Sequence, residues 1–127
     1  MGTKTLSTSL DLKTAEPVVG IFGLDSVKSQ SLSYDDTVVS SGSATAVTGV
    51  GGVQLIASGT AKVQNVYIRN TEAVGGNFVT LETDGNEDWG KLEPGNWAFF
   101  PVAPSVGLQV RSDTASVVIE YAIFQRP

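Results

Sequence analysis

The sequence predicts an all-β fold, an antiparallel β-sandwich that is jelly-roll-like, and three observations carry that prediction. No window sets apolar residues at i, i+3, i+4 and i+7 behind a capping residue, so no helix is expected. Runs that alternate with period two recur along the chain, the pattern that sends successive side chains to opposite faces of a strand. Clusters of Gly, Asn, Asp and Pro separate those runs at roughly the eight-to-twelve-residue spacing of sandwiches. The length of 127 residues suits one domain, residues 1–127, with residues 1–15 set apart as an extended N-terminal arm.

The elements follow in chain order. In "LSTSLDL", Leu6, Leu10 and Leu12 share one parity and Ser7, Ser9 and Asp11 the other, which describes a half-buried strand. "VVGIFGL", from Val18 to Leu24, is apolar on both faces and suits burial deep in the fold or against a partner. Residues 25–37 are polar and read as a loop with a short strand at its end. The stretch from Ser40 to Ala61 is dense in Gly, Ser, Ala and Thr, which fits either a flexible linker or short strands joined by Gly turns. Val47, Val50, Val53, Leu55 and Ile56 favour the strands. "VQNVYIRNT" reads as a central strand, and "FVTLET" is expected to pair back onto it as a hairpin through Gly75-Gly76. "DGNED" is the next turn, and "WGKLEPGNWAFFPV" supplies one turn and one short strand. "LQVRS" and "SVVIEYAIF" close the chain across Asp113-Thr114. In the last strand Val117, Ile119, Tyr121 and Ile123 line one face, while Val118 and Phe124 lie with Glu120 on the other.

Composition narrows the chemistry. The chain has no His and no Cys, so the usual nucleophile–base pairs, imidazole metal sites and disulfides cannot be built. Catalytic carboxylate pairs have no recognisable pattern among thirteen acids, and "GVGG" lacks the Lys-Ser/Thr and the helix of a phosphate loop. "ETDGNED" alternates oxygen ligands but places Gly85 second rather than sixth, and Gly95 stands where the twelfth-position Glu of a calcium loop belongs. The expectation is a non-enzyme without cofactor or metal. Net charge is −5 and the eight Lys and Arg are scattered, so direct nucleic-acid binding is not expected. The opening "MGTKTLSTSLDL" has no apolar signal region, and no apolar run reaches transmembrane length, so neither secretion nor membrane contact is expected.

"WGKLEPGNWAFFPV" concentrates both tryptophans beside a tight corner. Pro94 at i+1 and Gly95 at i+2 predict a type II turn. The strand after it ends at Pro101, which cannot donate to a ladder. Trp97 and Phe99 fall on one face and are expected in the core, leaving Trp89 or Phe100 for a subunit contact. An alternative arranges Trp89 and Trp97 with the acids of "DGNED" as a sugar-stacking platform, the arrangement of a carbohydrate-binding module.

The second half, "VYIRNT", "FVTLETDG", "WGKLEPGNWAFFPV" and "LQVRSDTASVVIEYAIF", resembles the C-terminal part of small β-sandwich virion proteins of tailed bacteriophages. The shared elements stand here as Asn70-Thr71, Leu92 to Gly95, Phe100-Pro101 and Ser112 to Tyr121, with Ser112 in place of the usual small residue before the closing Asp. The resemblance spans about residues 63–124 and covers none of the first sixty. It implies a capsid decoration or cement protein on the virion exterior, commonly a homotrimer, that bridges neighbouring major capsid subunits; a tail, collar or fibre component is the related alternative. On that reading Leu6, Leu10, Val19, Ile21, Phe22, Trp89 and Phe100 are the candidate interface residues, and Thr3 to Lys13 an arm that adds a strand to a neighbour's sheet.

Overall fold

Every regular element in the computed structural model, which describes residues 2–11, 27–59 and 61–127, is a β-strand. Strands β1 (Thr3–Asp11) and β2 (Val27–Asp35) pair antiparallel as a separate two-stranded sheet, with Leu6 opposite Leu32 and Lys4 opposite Tyr34. Parity divides this hairpin sharply. One face carries Leu6, Leu10, Leu32 and Tyr34, and the other carries Thr5, Ser7, Ser9, Ser29, Ser31 and Ser33. Residues 27–35 are therefore a full strand, not the loop with a short terminal strand expected from their polarity. Their serines face water, and β1 supplies the ladder that a polar sequence does not announce. "VVGIFGL" lies outside the described residues, as does Leu12.

The turn into the sandwich is held by Asp35, whose Oδ1 accepts from the Thr37 amide at 2.9 Å and hydroxyl at 2.7 Å. Those bonds to Thr37 hold its carboxyl below the usual range. Eight strands follow in two four-stranded sheets. The first is ordered β3 (Val39–Ala46), β10 (Val117–Gln125), β5 (Gln64–Asn70), β8 (Trp97–Val102). The second is ordered β4 (Val53–Ile56), β9 (Leu108–Ser112), β6 (Val79–Glu82), β7 (Asp88–Leu92). The Gly-Ser-Ala stretch thus contributes β3 and β4, the ordered reading of that region.

The pairing is nested. β3 pairs with β10, β4 with β9, β5 with β8 and β6 with β7, all antiparallel, as if one long hairpin with its tip at residues 83–87 had been rolled up. This corrects the expected β5–β6 hairpin: β5 sits between β10 and β8, while β6 belongs to the other sheet between β9 and β7. A Gly-Gly pair marks a turn without saying how far it travels. Here the connection crosses from one sheet to the other. "WGKLEPGNWAFFPV" likewise holds two strands, β7 and β8, one in each sheet.

The core lies between the sheets. Val66 and Ile68 of β5 with Ile119 and Ile123 of β10 face Val79 and Leu81 of β6 with Leu108 and Val110 of β9, all buried. Each such side chain contributes roughly 1.5–3 kcal/mol of transfer free energy. Val117, Ile119, Tyr121 and Ile123 do share the inner face, as their parity predicts. The corner also forms as predicted: Gly95 takes φ +81° and the Asn96 amide donates to the Glu93 carbonyl at 2.9 Å. Gly52, at φ +47°, lets the β3–β4 loop lie on β9, since a Cβ there would meet the Val110 carbonyl oxygen at 2.1 Å.

Candidate functional site

Register places the aromatic residues of the first sheet. On β8, Ala98, Phe100 and Val102 stand opposite Ile68, Val66 and Gln64, whereas Trp97 and Phe99 stand opposite Arg69 and Tyr67. Because Val66 and Ile68 are fully buried, Phe100 turns inward against the core and Trp97 and Phe99 turn outward. The expected assignment is therefore reversed: Trp97 is 53% exposed and Phe99 is on the outer face. Tyr67, Ala122 and Phe124 share that face.

The β1–β2 hairpin stands over this outer face. The Tyr34 ring meets Phe124 edge-on at 5.2 Å between centroids, which fixes the base of the hairpin. Between the two lies an open groove of about 720 Å³. Its sheet wall is Tyr67, Trp97, Phe99, Ala122 and Phe124. Its hairpin wall is Leu6 and Leu10 with Thr8, Gln30 and Lys28 on the same face, and Ser9 and Ser29 beside them. The aromatic wall is braced by neighbours on the same face. Tyr67 donates its hydroxyl to Glu120 Oε1 at 2.6 Å, and the Arg69 guanidinium lies 3.7 Å from the same oxygen. The bond to Glu120 raises the Tyr67 pKa above its ordinary value.

Trp89 goes elsewhere. A bulge in the β6–β7 ladder pairs Leu81 with Gly90 and Glu82 with Asp88, so Trp89 is left over. Its ring meets Phe100 edge-on at 5.0 Å, at a smaller recess with Val102, Ala103 and Val106. The two tryptophans thus occupy different recesses, and the "DGNED" turn joins neither into one platform.

The acids of that turn form a hydrogen-bonded network instead. Asp84 accepts from the Ser58 amide at 2.9 Å, from Gln109 Nε2 at 3.1 Å and from Gln54 Nε2. The bonds from Ser58 and Gln54 lower its pKa to about 2. A carboxyl whose folded pKa lies below its unfolded value of about 3.9 stabilises the fold above that value and loses the contribution as pH falls through about 2. Asp84→Asn should therefore flatten the fall in melting temperature between pH 4 and pH 2, read by circular dichroism. An unchanged slope would show that Asp84 is not the group responsible. Glu82 is buried beside it. Its Oε2 lies 3.4 Å from Arg111 Nε, and Arg111 also bonds both oxygens of Asp88 at 3.2 and 3.1 Å. Among the described residues no group of three or more acidic, His or Cys side chains is placed to hold a metal ion.

Of the predicted interface residues, Leu6 and Leu10 line the groove, while Trp89 and Phe100 meet at the smaller recess. Val19, Ile21 and Phe22 lie outside the described residues. Sequence reasoning missed Tyr67, Gln30 and Lys28. The available signal was Phe124 and Val118 on the non-core face of the last strand, which already called for a cover. Comparison with protein-family models, with curated protein sequences and with solved structures returns no match.

Proposed function

We propose that this chain is a virion structural protein of a tailed bacteriophage, a decoration or cement protein that bridges neighbouring major capsid subunits on the capsid exterior as a homotrimer and catalyses nothing. The observation that carries the reading is the β1–β2 hairpin: Thr3–Asp11, expected as part of an extended single-stranded arm, pairs with β2 of its own chain, and the two strands together form the arm. It is a two-stranded sheet outside the sandwich, and among the described residues no third strand joins it. An isolated two-stranded ribbon is marginally stable in water, and an uncovered edge is a template for another strand. Along Thr3 to Leu10 the alternate residues of β1 whose backbone groups point away from β2 offer that edge, with no proline to block it. A neighbouring capsid or sister subunit that adds a strand would complete the sheet.

The nested strand order supports the same reading. It is compatible with the jelly-roll-like sandwich expected from the sequence, an architecture used by viral capsid proteins and by lectins, so the fold by itself is an analogy and the arm carries the argument. Two measurements test it. Native mass spectrometry at micromolar concentration should give three times the 13.3 kDa chain mass. Deletion of residues 1–13 should abolish co-sedimentation with phage shells while Trp89, packed on Phe100 away from the hairpin, keeps its near-ultraviolet circular dichroism. A truncated protein that still sediments with shells and stays trimeric would refute the arm's role.

A further inference from the structure

We infer that the groove between the arm and the sheet binds a short oligosaccharide, with Lys28 favouring one that carries a carboxylate. The inference does not rest on the virion reading. It rests on the difference between the two walls. The sheet side presents aromatic surface from Tyr67, Trp97 and Phe99, and the hairpin side sets hydroxyl, amide and ammonium groups from Thr8, Gln30 and Lys28 between the apolar Leu6 and Leu10. A pyranose has the same division, with apolar C–H faces and a rim of hydroxyls. Its face stacks on an aromatic ring, and its rim pairs with amide and hydroxyl groups.

Other occupants fit less well. An apolar peptide filling the groove would bury the hairpin's polar groups without partners, at a cost of roughly 1–3 kcal/mol for each group left unpaired. A nucleic acid would need a track of cations, and Lys28 is the single charged residue of the lining. Lys28 is the one charged side chain among the described residues of the lining, so an acidic sugar gains an ion pair there that a neutral one lacks. The side chains of Gln30 and Lys28 have no hydrogen-bond or ion-pair partner among the described residues, which leaves their donors free for a ligand. The volume, about 720 Å³, lies in the range of small-molecule sites. Trp97, at the edge of the sheet and half exposed, is the ring most accessible for stacking.

The test titrates the full-length protein with tri-galacturonate and with maltotriose, following tryptophan fluorescence. Trp89→Phe is the working background, so that the signal comes from Trp97. Saturable quenching is expected with at least the acidic sugar. Trp97→Ala, followed by NMR shifts of Tyr67 and Phe99, should weaken binding about tenfold or more, in line with the loss of a stacking aromatic at the centre of a site. Gln30→Ala, a surface change that leaves the fold intact, should weaken it as well. Lys28→Gln should reduce affinity for the acidic sugar about two- to fivefold, the scale of an exposed ion pair, and leave the neutral one unchanged. No saturable response to either sugar would overturn the inference. So would binding that survives both Trp97→Ala and Gln30→Ala.

Discussion

Asn70→Ala is expected to cost about 3–4 kcal/mol, because one buried amide side chain holds together the ends of both sheets. Asn70 closes β5 in the first sheet and is fully buried. Its Nδ2 donates to the Asn77 carbonyl at 2.9 Å and to the Leu92 carbonyl at 3.0 Å, and Leu92 ends β7 in the second sheet. Its Oδ1 accepts from the Glu72 amide at 2.9 Å. The backbone of the same residue joins the type II corner, donating to the Asn96 carbonyl and accepting from the Gly95 amide, both at 3.0 Å. Alanine removes three side-chain bonds and leaves buried carbonyl and amide groups without partners, each costing roughly 1–3 kcal/mol. Urea denaturation should show the lower midpoint with an unchanged slope. A loss below about 1 kcal/mol would mean that water or a rearranged loop replaces the amide. Asn70→Asp should be at least as damaging, since it keeps the acceptor, loses both donors and buries a charge.

Arg111→Ala carries the second large effect, and its size should depend on pH. Glu82 is 2% exposed, and among the described residues the cation paired with its carboxylate is Arg111, which also holds Asp88. Burial and the nearby Asp88 raise the Glu82 pKa, and Arg111 works against that rise. Glu82 Oε1 has no hydrogen-bond partner, so the guanidinium is the main compensation for a buried charge. Without it the fold keeps two adjacent carboxylates, one in the interior. A loss of about 2–4 kcal/mol is expected at neutral pH, below the upper range for a severed buried pair because Arg111 is itself partly exposed. The sign of the pH dependence follows from linkage. A carboxyl with a raised folded pKa binds its proton more readily when folded, so its protonation on acidification adds stability. In the variant that pKa rises further, and part of the loss should be regained as pH is lowered from 7 towards 5. A deficit that is constant or grows over that interval would show that Glu82 is not the strained group. Glu82→Gln added to Arg111→Ala should recover most of the loss at pH 7.

What was legible in the sequence was local. Alternation placed Val117, Ile119, Tyr121 and Ile123 on one face, and Pro94-Gly95 specified its turn, because both signals depend on bonds and sterics within a few residues. Partnership was not legible. "FVTLET" alternates equally well beside β5 or beside β9, and only packing of the two sheets selects β9. The Trp97/Phe99 assignment failed for the same reason. Parity separated Phe100 from its neighbours correctly, but which face turns inward depends on Val66 and Ile68 across the ladder. Two large rings outweighed one in the sequence; three strands of buried β-branched residues outweigh them in the fold. The groove was least legible, since its walls come from strands far apart in the chain that are brought together at the Tyr34–Phe124 contact. Residue type was visible at every position, and adjacency was not.

Whether the arm joins this protein to a capsid can be seen by electron cryomicroscopy of phage shells incubated with the full chain. Added density is expected at the junctions between capsid subunits, with the sandwich facing outward and strand β1 continuing a neighbour's sheet. Shells that carry no added density, or density that reaches the capsid through the sandwich while the arm's edges stay unpaired, would contradict it.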